Sequence, residues 1–215
     1  MPLNICEIFY SLQGESTFSG LPCVFVRLTG CNLDCTWCDT LYAKKEGALM
    51  EIEEIISKVR TFGCGLVEIT GGEPLIQKDT SILVDKLLNL GYQVLVETNG
   101  TIAIDNISAR CIRIVDIKCP SSGELSRNLL QNIDLLGEND EIKFVIANRT
   151  DYEFARNLII NTELQKLGAL RIHLSPVYGE IQPEILASWI LDDRLGARLS
   201  MQLHKLIWHP DKRGV

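Results

Sequence analysis

"LVEITGGEP" occupies Leu66–Pro74, and its reading decides the fold. The first five residues are rich in β-branched side chains and make a short strand, which the Gly71–Gly72 pair then breaks. Past the turn, Leu83, Val84, Leu87 and Leu88 recur at helical spacing. The stretch is therefore a strand, a tight turn and a helix in succession.

The same unit recurs in both directions. Short β-rich runs appear at 24–28 (VFVRL), 93–98 (QVLVET), 112–117 (IRIVDI), 142–146 (IKFVI), 170–174 (LRIHL) and 199–204 (LSMQLH). Helical patterns lie between them. Ile52, Ile55, Ile56, Val59 and Phe62 form one; Ile185, Leu186, Trp189 and Ile190 another; and 150–167 a third, with Phe154, Ala155, Leu158 and Ile159 inward. Alternation of this kind predicts a parallel sheet covered by helices. Six or seven strands are too few for a closed eightfold barrel. The expectation is an α/β fold, a partial, open β/α barrel of about six parallel strands, formed as one domain over 1–215. A doubly wound sheet is the other arrangement with this pattern.

Either architecture places ligands at the carboxyl ends of the strands. The chemically unusual stretches all follow strands: the cysteines of "GCNLDCTWCDT" (30–40), then "TGGEP" (70–74), "ETNG" (97–100), "DIKCPSSG" (116–123) and "SPVYG" (175–179). They are expected on one rim.

Composition narrows the partners. Of 215 residues, 46% are hydrophobic, enough for a buried core, and the formal charge of −7 argues against a broad nucleic-acid or anionic-membrane surface. No apolar run has membrane-spanning length, and the start "MPLNICEIFY" lacks the basic and apolar regions of a secretion signal, so a cytoplasmic protein is expected. The eight cysteines are too unevenly placed for a disulfide framework. Cys6, Cys23, Cys64 and Cys111 sit among apolar neighbours and are expected to be ordinary buried thiols. Cys31, Cys35 and Cys38 fall within eight residues and point to metal chemistry. Zinc would need a fourth ligand, and His173, His204 and His209 are distant in sequence. A [4Fe–4S] cube held by three thiolates leaves one iron open for a ligand.

The spacing C-x3-C-x2-C, preceded by "RLTGCN" and carrying Trp37 before the last cysteine, resembles the radical S-adenosylmethionine (SAM) superfamily. The resemblance implies that SAM takes the open iron. It also implies that "TGGEP" holds the methionine amino group. Trp37, Cys38, Asp39, Gly72, Glu73, Asp116, Ile117, Lys118, Ser175, Pro176, Val177 and Tyr178 would then line the SAM site, with Asn99 a further candidate. "EIFYSLQGES" (7–16) followed by "FVRLTGCNLDCTWCDT" is similar to the 7-carboxy-7-deazaguanine synthase family, and the tail "QLHKLIWHPDKRGV" is compatible with it. That family contracts the ring of 6-carboxy-5,6,7,8-tetrahydropterin with loss of ammonia. It implies a [4Fe–4S] cluster, SAM and Mg²⁺ as cofactors, a homodimer, and a flavodoxin or ferredoxin as reductant.

Residues can be read for that task. Along "VFVRLT", Val24, Val26 and Leu28 share one face and Phe25, Arg27 and Thr29 the other. An arginine in so apolar a strand needs an acidic partner, which is either an internal glutamate or a bound carboxylate. The resemblance assigns Arg27 to the substrate, together with Leu12, Gln13, Gly14 and Thr70. It makes the Thr40 hydroxyl an Mg²⁺ ligand, where the residue type alone suggests a capping role. Glu15 is either a further polar contact or an exposed loop residue. Candidate acids and bases are few, His204 on the last strand being the best, and Val215 could close the pocket. The competing readings are an activase that installs a glycyl radical on a partner protein, a non-catalytic iron–sulfur or zinc protein, and a tRNA-binding factor, the last disfavoured by the acidic charge.

Overall fold

The computed structural model describes every residue from Met1 to Val215. The strands are β1 (Pro2–Leu12), β2 (Pro22–Leu28), β3 (Ala48–Glu51), β4 (Leu66–Gly71), β5 (Gln93–Thr98), β6 (Ile112–Ile117), β7 (Glu141–Ile146), β8 (Ile172–Pro176) and β9 (Arg198–Leu199). They form one nine-stranded sheet in the order β3-β1-β2-β4-β5-β6-β7-β8-β9. From β2 through β4 to β9 neighbouring strands are parallel, whereas β1 runs antiparallel to β2 and β3. The sheet does not close, so the open β/α architecture expected from the sequence is the one observed.

Helices cover the outer face. Val24, Val26, Leu28, Val67, Ile69, Val94 and Val96 pack against Ile52, Ile55, Ile56 and Val59 of α1 (Ile52–Thr61) and Leu83, Val84 and Leu87 of α2 (Thr80–Asn89). The other half of the sheet packs on α3 (Arg149–Asn161) and α4 (Pro183–Asp192) through Tyr152, Ala155, Ile159, Leu186 and Ile190. Each large aliphatic side chain buried this way contributes roughly 1.5–3 kcal/mol. Helix starts agree with the pattern: Glu54 accepts from the Glu51 N–H at 3.0 Å ahead of α1, and the Asn148 side chain accepts from Asp151 N at 3.1 Å ahead of α3.

The inner face differs. Cys23, Phe25, Leu66, Leu95 and Ile114 make a small apolar floor. Further along the strands the same face carries Arg27, Glu68, Glu97, Asp116, Lys143 and His173, all bordering one cavity.

Several details depart from the sequence reading. β1 and β3 were not anticipated. The run 199–204 pairs with the sheet only at Arg198–Leu199; the chain then leaves it and forms α5 (Leu203–Ile207). The run at 170–174 starts late, because Ala169–Arg171 is a 3-10 turn, and the helix expected over 150–167 ends at Asn161, with a 3-10 turn at Glu163–Leu167. Tyr152 is the most buried aromatic of α3, while Phe154 and Leu158 are only half-buried and Ile185 of α4 is exposed. Of the four cysteines read as buried, Cys23 and Cys111 are, but Cys6 and Cys64 are half-buried.

Candidate active site

The loops after β2, β4, β5, β6 and β8 meet at one rim around a cavity of about 480 Å³. Cys31, Cys35 and Cys38 all border it. Their loop is tied on three sides. Gly30 N donates to Ala43 O at 2.8 Å, Glu73 N to Gly30 O at 2.8 Å, and Thr36 N to Ser122 O at 3.1 Å. From β5 the Asn99 amide donates to Asn32 Oδ1 at 3.0 Å and stands 3.9 Å from Cys31 Sγ. Asn99 thus braces the cysteine loop.

No three His, Cys, Asp or Glu side chains converge tightly enough to hold a single metal ion, and His173 faces Glu141 at 2.6 Å instead of the cysteines. A cube, which takes one thiolate from each iron, wants its sulfurs apart. The donor set fits that group better than zinc. Burial pushes the Cys35 thiol up, and the Lys118 ammonium pulls it back toward the thiolate.

The glycine turn is explained by packing. A Cβ on Gly72 would lie 2.3 Å from Gly30 O and 2.7 Å from Cys31 Cβ, so this position must be glycine for the two loops to touch. Glu73 follows it, fully buried, and accepts from Leu75 N (2.9 Å), Thr98 Oγ1 (2.9 Å) and Asn99 N (2.6 Å). Its carboxylate is thus engaged by the protein and is not part of the cavity wall. Trp37, Asp39, Gly72, Asp116, Ile117, Lys118, Val177 and Tyr178 do border the cavity; Ser175 and Pro176 do not. Asp116 Oδ1 and Ser175 Oγ are buried without a partner; of the two residues Asp116 borders the cavity, where its free oxygen can accept from a polar ligand. Thr40 borders the same space and its hydroxyl donates to Asp39 Oδ1 at 2.8 Å. These two oxygens are hard donors of the kind Mg²⁺ takes.

The loop after β1 lies across the inner face. Gln13 Nε2 donates to Glu68 Oε2 in a short contact, and Glu15 meets Lys143 Nζ at 2.9 Å. Thr17 N donates to Glu141 Oε2 at 3.0 Å. Lys143 also pairs with Glu97, at 2.5 Å, and Thr70 Oγ1 donates to Glu97 Oε2 at 3.2 Å. Burial, reinforced by the neighbouring Glu97 carboxylate, raises Glu68 well above the usual carboxyl range. Burial alone would also raise Glu15, but Lys143 and the Gln202 amide outweigh it and hold Glu15 below its ordinary value. Glu15 is therefore not an exposed loop residue: its side chain is 16% exposed. The acids and bases were under-counted from the sequence. Glu68, Glu97 and Lys143 were missed, although each is a lone charge in an apolar strand, the signal that singled out Arg27.

Arg27 directs its Nε–H to Glu7 Oε1 at 2.9 Å, while the terminal nitrogens have no protein partner and the residue borders the cavity. Leu12, Gln13, Gly14 and Thr70 share that wall. His204 borders it too, from α5 and not from a strand; burial lowers its pKa below the ordinary imidazole value. Leu203 N donates to Gly14 O at 2.8 Å, and a Cβ on Gly14 would lie 2.2 Å from His204 Nδ1. Gly14→Ala should consequently push α5 off its seat, costing about 1–3 kcal/mol. Amide exchange across Leu203–Ile207 should speed up, and removing the ring in a Gly14→Ala/His204→Ala chain should restore protection. Equal exchange in Gly14→Ala and the parent would show that the contact relaxes without cost.

From α5 onward the chain lies over the mouth. Lys205 of α5 pairs with Asp39 at 2.6 Å, and past the helix Arg213 pairs with Glu46 at 2.8 Å and Gly214 and Val215 border the cavity.

Comparison with known proteins shows the family. The family model described as the radical SAM superfamily matches residues 25–114. The 7-carboxy-7-deazaguanine synthase of Chlorobaculum tepidum is 46% identical over 217 residues, spanning 100% of this chain and 98% of its own. The synthase of Koribacter versatilis is 44% identical over 227 residues, spanning 99% and 100%. The crystal structure of QueE from Escherichia coli matches with a TM-score of 0.77 at 28% identity, covering 95% of each chain.

Proposed function

We infer the chemistry of the cavity from one premise: the chain belongs to the 7-carboxy-7-deazaguanine synthase family, within the radical SAM superfamily. It is a radical SAM lyase that forms 7-carboxy-7-deazaguanine from 6-carboxy-5,6,7,8-tetrahydropterin with release of ammonia. When bound, the [4Fe–4S] cluster and SAM supply the radical removal of a substrate hydrogen. The protein's part is to bind, orient and shield.

In this reading Cys31, Cys35 and Cys38 hold the cluster. Gly72, Asp116, Lys118, Val177 and the residues around Trp37 receive SAM, with Glu73 fixing the turn from behind. Arg27 grips the pterin carboxylate through its two free nitrogens, in the bidentate geometry a guanidinium favours. Gln13, held by Glu68, and Thr70, held by Glu97, orient the ring. Lys143 and Glu97 border the same cavity and can hold or move protons as the ring contracts. The segment from Lys205 to Val215 excludes water. Mg²⁺ held by Thr40 with substrate oxygens, a flavodoxin or ferredoxin as electron donor, a homodimer and a cytoplasmic setting complete the reading. No helix is long and apolar enough to cross a membrane.

The observation that carries the proposal is that the three cysteines and the free side of Arg27 border a single cavity. Its test is anaerobic turnover. The cluster is reconstituted and reduced, SAM, Mg²⁺ and the carboxypterin are added, and products are followed by mass spectrometry. One ammonia released per pterin, with SAM persisting, is the expected result. Cleavage of SAM with the pterin intact would move the glycyl-radical activase to first place.

A further inference from the structure

Arg27 is held in a chain of contacts that runs along the cavity rim, where Tyr42 and Arg213 are also lining residues, and passes through Glu7 behind the wall. Glu7 lies opposite Arg27 in the register of β1 on β2. Its Oε1 accepts both the Arg27 Nε–H, at 2.9 Å, and the Tyr42 hydroxyl, at 2.8 Å. Tyr42 sits on the 3-10 turn Leu41–Lys44, just past the cysteine loop. The Arg213 guanidinium lies over its ring, 3.6 Å from the centroid, and is held to Glu46 at 2.8 and 3.3 Å. Two side chains thus connect the carboxyl-terminal segment to the guanidinium that faces the cavity.

The arrangement has a chemical logic. A free carboxylate beside an arginine tends to take it through two parallel hydrogen bonds, which would turn the fork of the guanidinium toward Glu7 and away from the cavity. Here the Tyr42 hydroxyl shares the oxygen that meets Nε and so fixes the direction of the Glu7 carboxylate, which engages Arg27 through Nε and leaves the terminal nitrogens open. Tyr42 in turn is pinned by the planar stack of Arg213 on its ring. The outer Arg213–Glu46 pair is half-exposed, with side chains 51% and 56% accessible, and is weak alone. Its effect would come through where it places Tyr42.

We propose that Arg213, Tyr42 and Glu7 form a positioning relay by which the docked carboxyl-terminal segment aims Arg27 at the substrate carboxylate, making them determinants of specificity for a carboxylated pterin. The proposal rests on the reading that Arg27 takes that carboxylate. The relay favours carboxylated over uncarboxylated ligand, and only while the segment is seated.

The test compares anaerobic binding of two ligands by the reconstituted, SAM-loaded enzyme: 6-carboxytetrahydropterin and tetrahydropterin without the carboxylate. Tyr42→Phe keeps the ring under Arg213 and removes the hydroxyl. It should weaken the carboxylated ligand about tenfold, the size of one hydrogen bond to a charged group, and leave the other unchanged. Arg213→Ala, at an exposed site, should act in the same direction by a smaller factor. In an Arg27→Ala background both effects should vanish. The relay is overturned if Tyr42→Phe weakens both ligands alike, or if its effect persists without Arg27. If Arg27→Ala leaves the preference for the carboxylated ligand intact, the carboxylate reading falls, and the relay with it. Loss of preference in Arg27→Ala alone, with Tyr42→Phe and Arg213→Ala silent, removes only the relay.

Discussion

A chain with Cys31, Cys35 or Cys38 replaced by Ala is expected to fold, to retain no more than roughly a tenth of its cluster iron and to lose turnover entirely. Each iron of a cube needs its own ligand, and two remaining thiolates leave two irons without protein support. None of the other five cysteines can substitute. Cys23 and Cys111 are buried in the core, and burial, with Asp140 beside it, pushes the Cys111 thiol up to about 12. Cys119 borders the cavity but is only 1% exposed, and burial with Asp151 holds it well above the usual thiol range. All three are packed into the body of the fold and would have to leave that packing to reach a cluster held by the 31–38 loop. Cys6 lies on β1, and Cys64 donates to Pro22 O at 3.3 Å; neither borders the cavity. Iron and sulfide per chain, with melting temperature as the folding control, measure the effect. Cys64→Ser should keep the full cluster. Full iron in Cys35→Ala would contradict the ligand assignment.

Gly72→Ala should be nearly as severe, although it removes no chemical group. The added carbon would stand 2.3 Å from Gly30 O and 2.7 Å from Cys31 Cβ, and neither atom belongs to a flexible side chain that can swing away. Hydrogen bonds from Gly72 N to Leu28 O (3.3 Å) and from Glu73 N to Gly30 O (2.8 Å) stitch the same two loops together. Either those bonds break or Cys31 moves. Overpacking here costs about 1–3 kcal/mol of stability, a melting shift of several degrees. A displacement of the order of 1 Å at the reacting centre costs on the order of 100-fold in kcat/KM. Steady-state kinetics and SAM affinity would report it. Parental values for both would mean that the loops yield without disturbing the site.

The local features were legible in the sequence and the non-local ones were not. The cysteine loop and the glycine turn declare themselves because their geometry is written in consecutive residues. β1 hid because its buried residues, Leu3, Ile5 and Ile8, lose the two-residue period at the register shift between Ile5 and Glu7. The run at 199–204 misled for the opposite reason. Its alternation of Leu199, Met201 and Leu203 is good, but Gln202 is drawn to Glu15 at 2.8 Å and Leu203 N to Gly14 O, so the chain is pulled off the sheet. His204 was placed on a strand by the same error. The charged wall needed register as well as alternation. Nothing in "LVEIT" or "IKFVI" says that Glu68 will meet Gln13 or that Lys143 will bridge Glu15 and Glu97.

The way the sheet ends has a consequence for how the protein behaves in a crowded solution. An unclosed sheet has two outermost strands whose free backbone groups can recruit a strand from a neighbouring molecule. Here they are β3, of four residues, and β9, of two. The long valine- and isoleucine-rich strands, which would seed self-association most readily, are all interior. Mutations that unseat β1 would uncover β2 and should appear first as precipitation at high concentration, before any loss of chemistry is measured.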